Sequence, residues 1–346
     1  MSEKVRIGFV GAGSMGQCAH LRNYVTVPEC EVVAIAELRP QLREQVARKY
    51  GIPRTYANAA DLLAHEKLDG IVASQQFVHH GSIIPPLYGA GVPIFTEKPI
   101  AASIEVGEKI LSALAASGTW HMVGYHKRSD PATIHAKAEI DRLKETGELG
   151  KLKYVRILMP AGDYIANGFL DRINSDEPVP PLARDVEEGW DSPYFRFVNY
   201  YIHQVNMMRH LLGESYDVTF ADKAGVLLAT ESVSGVTGAI EMTPYHTTID
   251  WQESAFVAFE RGYVKLELPA PVALNRPGRV EIFRDPGDGV VPQTIIPQLP
   301  WVHAMRQQAI TFVRAIKGEA KPPCEAAEAL EDLKIARDYI RLWTGK

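Results

Sequence analysis

The chain has 346 residues, of which 46% are hydrophobic, and a formal net charge of −5 with acidic and basic residues mixed along its length. This length predicts about two domains of ordinary size. The charge pattern excludes nucleic acid as the main partner, and the scattered cysteines Cys18, Cys30 and Cys324 have no metal-ligand spacing, so no metal is expected. We expect a cytoplasmic protein, because a strand begins near residue 5 and no apolar run reaches the ~20 residues of a membrane span.

The first elements carry a glycine motif between a strand and a helix. Residues 5–10 are apolar and predict a buried strand, and a helix is predicted over 15–27. Between them, three glycines have the spacing that permits a tight turn, close approach of backbone to a pyrophosphate, and close helix packing. The motif predicts a dinucleotide site formed by Gly11, Gly13, Ser14, Met15 and Gly16.

The second predicted strand, over 31–36, ends in Glu37, about twenty positions beyond the glycines. A carboxylate at this place accepts hydrogen bonds from the adenosine ribose and faces any 2′-phosphate, which predicts NAD. Arg39 lies two residues further on and leaves NADP open as the alternative.

The first half continues as alternating strands and helices, which is typical of a doubly wound parallel sheet. Further strands are predicted over 68–73, 92–95 and 120–125. Ser74 and Gln75 follow the first of these, and Glu97-Lys98-Pro99 follows the second. Ligands of such sheets bind outside the carboxyl ends of the strands, so we expect these side chains to line one crevice with the glycines. Residues 1–125 are therefore predicted to form a Rossmann domain.

After residue 125 the strands become longer and alternate in polarity. Strands over 152–159, 216–229, 236–244, 253–268 and 279–283, with helices over 195–212, 302–317 and 324–343, predict an α+β domain with a large open, mostly antiparallel sheet. We expect residues 126–346 to bind the substrate and to form the oligomer, with the C-terminal helix packed back on the first domain. An open sheet leaves a face to cover, which predicts a homodimer or homotetramer through it.

The residue types also predict a reaction. Oxidation of an alcohol needs a group that takes the hydroxyl proton and holds the carbonyl oxygen, and Lys98 beside a cationic nicotinamide would serve, unless it is an ordinary loop lysine. On the helix predicted over 195–212, the spacing puts Asn199, His203, Asn206 and His210 on one face among apolar neighbours. Such polar groups are costly unless they are paired or used, so this face is a candidate site; a satisfied core histidine is the alternative.

The stretch 161–193 is long for a loop inside a domain, which favours a function. It contains Asp163, Tyr164 and Trp190, and aromatic faces beside carboxylates suit a polyhydroxylated ring. Alternatively, Trp190 only anchors the loop. His126 and Arg128, after the last Rossmann strand, are expected to contact substrate hydroxyls.

The glycine motif, Glu97-Lys98-Pro99, Gly124-Tyr125-His126-Lys127-Arg128 and His203 resemble the glucose–fructose oxidoreductase / inositol dehydrogenase / MocA-like (Gfo/Idh/MocA) family, in the same order over essentially the whole chain. The resemblance implies a tightly held NAD or NADP, hydride exchange with a sugar-like carbinol, and a place for His80 on the cofactor side. The family has aspartates four residues before and three residues after the histidine, where this chain has Asn199 and Asn206. Asparagine orients a hydroxyl but takes up no proton near neutral pH.

The sequence therefore predicts an NAD(P)-dependent sugar or cyclitol dehydrogenase in which Lys98 and His203 move the proton and Asn199 orients the substrate. Two alternatives stay open: a non-catalytic NAD-binding, sugar-sensing regulator, and a redox-neutral NAD-dependent glycosidase or epimerase of the same fold. The predicted cofactor-binding residues are Gly11, Gly13, Ser14, Met15, Gly16, Glu37, Ser74, Gln75, His80, Glu97 and Lys98. The predicted substrate contacts are His126, Arg128, Asp163, Tyr164, Trp190, Asn199 and His203.

Overall fold

The computed structural model describes residues 3–187 and 189–345, which form two compact units. The first unit comprises Met1–Tyr125, Asn167–Phe195 and Met305–Leu333, and the second comprises His126–Ala166, Arg196–Ala304 and Lys334–Lys346. Residues 167–195 and 305–333 are predicted from the sequence to belong to the second domain. The structure groups them with the first unit, where Phe312 and Val313 are fully buried members of the core.

The first unit contains a six-stranded parallel sheet in the order β3-β2-β1-β4-β5-β6. Its strands are β1 Val5–Val10, β2 Cys30–Ala36, β3 Arg54–Tyr56, β4 Gly70–Ala73, β5 Ile94–Glu97 and β6 His121–Gly124. Its helices are α1 Arg22–Tyr24, α2 Pro40–Tyr50, α3 Ala59–His65, α4 His80–Leu87 and α5 Ile104–Ala115. This order, which reverses between β1 and β4, confirms the predicted doubly wound sheet.

The core of the first unit explains why its strands are so apolar. A parallel sheet is covered on both faces, and every residue of β4 is accordingly buried. Phe9 and Phe95 from the sheet lie in one cluster with Tyr24 after the glycine motif. The same cluster includes Phe312, whose ring is 5.8 Å from that of Phe95. Burial of these rings fixes the segments that carry the candidate cofactor residues.

The second unit is built on an eight-stranded sheet in the order β14-β13-β12-β11-β7-β10-β9-β8. The strands are β7 Leu152–Ala161, β8 Tyr216–Ala221, β9 Leu227–Ser232, β10 Thr237–His246, β11 Glu253–Phe259, β12 Gly262–Leu268, β13 Arg279–Arg284 and β14 Gln293–Ile295. Only the β7–β10 pair is parallel in the described part of this sheet, which confirms a mostly antiparallel sheet.

Of the remaining helices, one precedes β7, two lie between β7 and β8, and two follow β14. They are α6 Pro131–Thr146, α7 Pro193–Tyr200, α8 Ile202–Leu212, α9 Ala304–Ile316 and α10 Ala326–Thr344.

Two predicted long strands, over 216–229 and 253–268, are hairpins instead. The one over 216–229 turns because the Asp222 carboxylate accepts hydrogen bonds from the backbone N–H groups of Ala224 and Val226, at 2.9 and 2.7 Å. Within the described ranges, no helix is long and apolar enough to cross a membrane.

Candidate active site

The glycine loop leaves the carboxyl end of β1 and continues into a π-helical turn, Gly16–Leu21, ahead of α1. Gly11 has a φ of 93°, in the left-handed region that glycine favours. A Cβ at Gly16 would lie 2.9 Å from the backbone oxygen of Gly11, so this turn packs too closely for a side chain. A Cβ at Gly13, by contrast, would meet no described atom within 4 Å. The second glycine therefore presents its backbone to open space, as a phosphate site requires.

Glu37 connects the end of β2 to this loop. Its carboxylate accepts hydrogen bonds from the Ala12 backbone N–H at 2.8 Å and from Nε and Nη2 of Arg39 at 2.8 and 3.2 Å. Burial opposes the charge, but the Arg39 side chain and the backbone donors of Ala12 and Arg39 outweigh it and hold the pKa of Glu37 below its ordinary value. Glu37 is therefore an anion that already engages Arg39.

Ser74, Gln75 and His80 form the rim at the carboxyl end of β4. The Ser74 hydroxyl donates to the Gly11 oxygen at 3.2 Å, and the Gln75 side-chain amide donates to the Val10 oxygen at 2.7 Å. His80 is fully buried, with Nε2 3.2 Å from the Gln75 oxygen, and burial lowers its pKa. Ser74 and Gln75 therefore brace the glycine loop, and His80 holds the backbone that carries Gln75.

Glu97 and Lys98 lie at the carboxyl end of β5, beside β4 in the sheet. Glu97 Oε1 is 2.7 Å from Nε2 of His20, a buried residue of the π-helical turn, and Glu97 Oε2 accepts from the Lys98 backbone N–H at 3.3 Å. The Lys98–Pro99 peptide is cis. The His20–Glu97 pair thus joins the helix after the glycines to the backbone that carries Lys98. His20 is not among the site residues that the sequence predicts.

In the second unit, the turn that begins at His126 packs against α8. The rings of His126 and His203 lie edge to face with centroids 4.7 Å apart. Arg128 is buried and donates from Nε to Oδ1 of Asn206 at 2.5 Å. Burial, followed by the charges of Arg128 and Lys137, lowers the pKa of His210 to about 2, which fits the structural alternative for that residue. Two imidazoles, a guanidinium and an amide therefore converge within this unit.

A buried carboxylate that the sequence analysis missed lies next to this cluster. Glu253, the first residue of β11, forms an ion pair with Lys127 and accepts hydrogen bonds from Gln204 Nε2 at 2.7 Å and Trp251 Nε1 at 3.2 Å. Burial lowers the pKa of Lys127 even though Glu253 opposes this effect. Lys127 and Gln204 are the chain neighbours of His126 and His203. Because Glu253 contacts both Lys127 and Gln204, it links the two backbone segments that carry the imidazoles.

The helix predicted over 195–212 is two helices, α7 and α8, which meet at Tyr201. The N–H of Gln204 bonds to the oxygen of Tyr201 at 3.0 Å, a tighter three-residue turn, where the rings of Tyr200 and Tyr201 also pack edge to face. Asn199 lies in the last turn of α7 and His203 in the first turn of α8. Asn199 and His203 therefore lie on either side of a short interruption, and their place on one face stays a prediction.

The candidate residues of the long loop divide between the two units. Asp163 and Tyr164 belong to the second, where the Asp163 carboxylate accepts from the backbone N–H groups of Ile165 and Ala166 at 3.0 and 3.1 Å. The Tyr164 side chain is 43% exposed. Trp190 belongs to the first unit, where its ring packs on Phe77 and Phe195 with centroids 5.3 and 5.7 Å away. These contacts favour the interpretation of Trp190 as an anchor.

Comparison with known proteins agrees with this geometry. Residues 5–125 match the Gfo/Idh/MocA family, described as an oxidoreductase family with an NAD-binding Rossmann fold. Over these residues the chain is Gfo/Idh/MocA-like and has the NAD-binding Rossmann fold of that family. The family resemblance read from the sequence is confirmed.

Relatives in this family include inositol dehydrogenases. The chain is 29% identical over 214 residues to scyllo-inositol 2-dehydrogenase (NAD(+)) of Bacillus subtilis; the match covers 62% of this chain and 55% of that relative. It is 24% identical over 358 residues to inositol 2-dehydrogenase of Burkholderia multivorans, covering 96% and 97% of the two chains. Levoglucosan dehydrogenase, solved with NADH and levoglucosan, has the same fold, with a TM-score of 0.74 at 17% identity over 99% of this chain and 98% of that one.

The first unit of this Gfo/Idh/MocA-like chain fits NAD by its own geometry. The backbone at Gly13 is open for a pyrophosphate, and the ionised carboxylate of Glu37 stands where a ribose diol needs an acceptor. Arg172, which the sequence analysis did not single out, donates to the Ser14 hydroxyl of the loop at 2.6 Å. No local pattern relates residues this far apart in the chain, so spacing gave no signal for this contact.

Proposed function

We propose that this chain is an NAD-dependent dehydrogenase that exchanges hydride with a carbinol or ketone carbon of a sugar, sugar derivative or cyclitol. The observation that carries the proposal is the position of Lys98. It follows β5 directly, two strands from β1 and its glycine loop, and its backbone is joined to the helix after that loop through Glu97 and His20. Ligands of doubly wound sheets bind at this edge, so the lysine belongs to the cofactor side.

The proposal assigns a role to each polar group. Bound NAD supplies the hydride acceptor. Lys98 holds the substrate oxygen as it changes from hydroxyl to carbonyl, and His203 takes up the hydroxyl proton. Asn199 orients the substrate hydroxyl by hydrogen bonding and, as an amide, moves no proton.

The substrate class rests on the donors and acceptors of the second unit. His126, His203, Arg128 and the exposed Tyr164 offer hydrogen-bonding groups and an aromatic face, which suit a ring with many hydroxyls. Inositol dehydrogenases among the relatives and the levoglucosan-bound neighbour point to the same class.

The test is the absorbance of reduced nicotinamide, with NAD and then NADP, across sugars, anhydrosugars and cyclitols. Wild type is compared with Lys98→Met and with Lys109→Met, which removes an exposed lysine of α5 in the same unit. We expect turnover in wild type and in Lys109→Met and its loss in Lys98→Met. Substrate conversion without net reduced cofactor would instead establish the redox-neutral alternative, and NAD binding without any conversion would establish the regulator.

We also propose that the open face of the second sheet joins copies of this chain. The half-buried rings of Phe256, Tyr263 and Phe283 pack in a row across β11, β12 and β13 with centroids 4.9 and 5.5 Å apart. An aromatic row of this kind suits an apolar interface. Light scattering is expected to give a dimer or tetramer for wild type and a smaller species for Phe283→Lys; a monomeric wild type would refute the proposal.

A further inference from the structure

Residues 169–177, which we call the strap, are attached to the dinucleotide-binding half of the first unit. The buried side chain of Gln17 clamps the strap backbone: Nε2 donates to the Ile173 oxygen at 3.1 Å, and Oε1 accepts from the Ile173 N–H at 2.9 Å. Asp171 forms ion pairs with Arg22 and Lys49. These bonds hold the strap beside the glycine loop and α2.

Arg172 puts a positive charge at the glycine loop. Its Nη1 donates to the Ser14 hydroxyl at 2.6 Å, and its Nε and Nη2 donate to Oδ1 of Asn174 at 2.9 and 2.5 Å. All of these acceptors are uncharged, and no carboxylate within residues 3–187 or 189–345 forms an ion pair with Arg172. The adjacent start of a helix is itself electropositive, so a guanidinium there gains energy when an anion lies between the two. Gly13 leaves space for such an anion.

Glu177 puts a negative charge at the other end of the strap. Its Oε1 and Oε2 accept from the backbone N–H groups of Gln41 and Leu42 at 2.9 and 2.8 Å, at the start of α2. Burial opposes ionisation, but these donors outweigh it and lower the pKa of Glu177. The two N–H groups come four and five residues after Glu37, the residue proposed to accept from the ribose hydroxyls. They are the donors that the start of α2 would offer to a 2′-phosphate, and Glu177 already uses both.

We propose that the strap completes the dinucleotide site and selects NAD: Arg172 binds the pyrophosphate, and Glu177 excludes a 2′-phosphate from the start of α2. The strap then places a positive charge at the anionic pyrophosphate and a negative charge where NAD has a neutral diol and NADP has an anionic phosphate. Arg39 gives no compensation for NADP because Glu37 holds it through both carboxylate oxygens. The inference deepens the cofactor side of the proposed function, and its test measures binding, so it is decided whether or not a sugar is turned over.

The role of Arg172 is tested by calorimetric titration of Arg172→Met with NAD, ADP-ribose and adenosine. Loss of charge-assisted bonds to a phosphate is expected to weaken NAD and ADP-ribose roughly tenfold to a hundredfold and to leave adenosine unchanged. Arg48→Met, which removes an exposed arginine of α2, is the matched control and should bind all three ligands as wild type does. Equal weakening for adenosine, or none for NAD, would overturn the assignment. If Arg172→Met does not fold, the same titrations are made with Arg172→Lys, which keeps the charge.

The role of Glu177 is tested by the ratio of NADP to NAD dissociation constants. Glu177→Gln keeps one acceptor and removes the charge, so NADP affinity should rise about tenfold relative to NAD. Asp176→Asn removes the same charge from the exposed neighbouring residue and should leave the ratio unchanged. An unchanged ratio in Glu177→Gln, or the same change in both variants, would refute a specific contact at α2.

Discussion

The guanidinium of Arg128 donates from Nε to Oδ1 of Asn206 at 2.5 Å and from Nη2 to the backbone oxygen of the same residue at 3.3 Å. Both residues are buried in the second unit. The amide at position 206, where the family has a carboxylate, thus fixes the orientation of an arginine that carries a proposed substrate contact. The neutral acceptor keeps the geometry but contributes no charge.

Removing this acceptor should destabilise the protein. Asn206→Leu takes away one side-chain acceptor of a buried cation, and a hydrogen bond to a charged group contributes roughly 1.5–3 kcal/mol. We expect a loss of that size in the free energy of unfolding, measured by urea denaturation. Asn206→Asp keeps an acceptor oxygen and should lose much less. Equal stability of the two variants would show that the bond contributes little.

The buried Lys127–Glu253 pair predicts a strongly non-additive pair of mutations. Lys127→Met leaves the buried carboxylate without its cation, which costs about 3–5 kcal/mol of unfolding free energy when a buried pair is broken. In Lys127→Met/Glu253→Met both charges are gone, and the double variant should be more stable than Lys127→Met. Urea denaturation of the wild type, both single variants and the double variant measures the coupling. Simple addition of the two losses would contradict it.

The sequence predicts structure that depends on residues close together in the chain, and it does not predict contacts between residues far apart in the chain. Strand β1, the glycine loop and Glu37 are predicted from the sequence because hydrophobic periodicity and motif spacing relate residues close together in the chain. The interruption at Tyr201 is not predicted because helix-forming residues continue on both sides of it. Arg172 at Ser14 and Glu253 at Lys127 join residues 158 and 126 positions apart, and no period or spacing encodes such pairs.

His20 is expected to position Lys98 through Glu97. His20→Phe removes the partner of Glu97 Oε1, and loss of alignment at a reacting group lowers kcat by about tenfold to a hundredfold. The NAD dissociation constant should change little, because the glycine loop keeps its own bonds. His20→Gln, which retains a donor, should recover part of kcat. A matching rise in the NAD dissociation constant would instead show that His20 supports only the cofactor site.

Asp130 predicts a pH dependence of stability. It is the N-cap residue of α6 and accepts from the backbone N–H groups of Ala132 and Gly278 at 2.8 and 2.9 Å. Burial raises its pKa to about 6. The folded state therefore binds this proton more tightly than the unfolded chain, whose Asp pKa is about 3.9. The stability from this group is fully present below about pH 4 and is lost as the pH rises through about 6.

The charge of Asp130 should therefore cost roughly 3 kcal/mol at neutral pH, the equivalent of a two-unit shift. Asp130→Asn keeps an oxygen for the two N–H groups and has no charge to bury, and asparagine is an equally good first residue for a helix. Urea denaturation at several values between pH 4 and pH 8 should find the variant close to wild type at the acid end and more stable than wild type at the neutral end. A constant difference across this range would show that Asp130 does not titrate there. A variant less stable than wild type at pH 7 would show that the hydrogen bonds of the charged carboxylate stabilise the protein by more than its burial destabilises it.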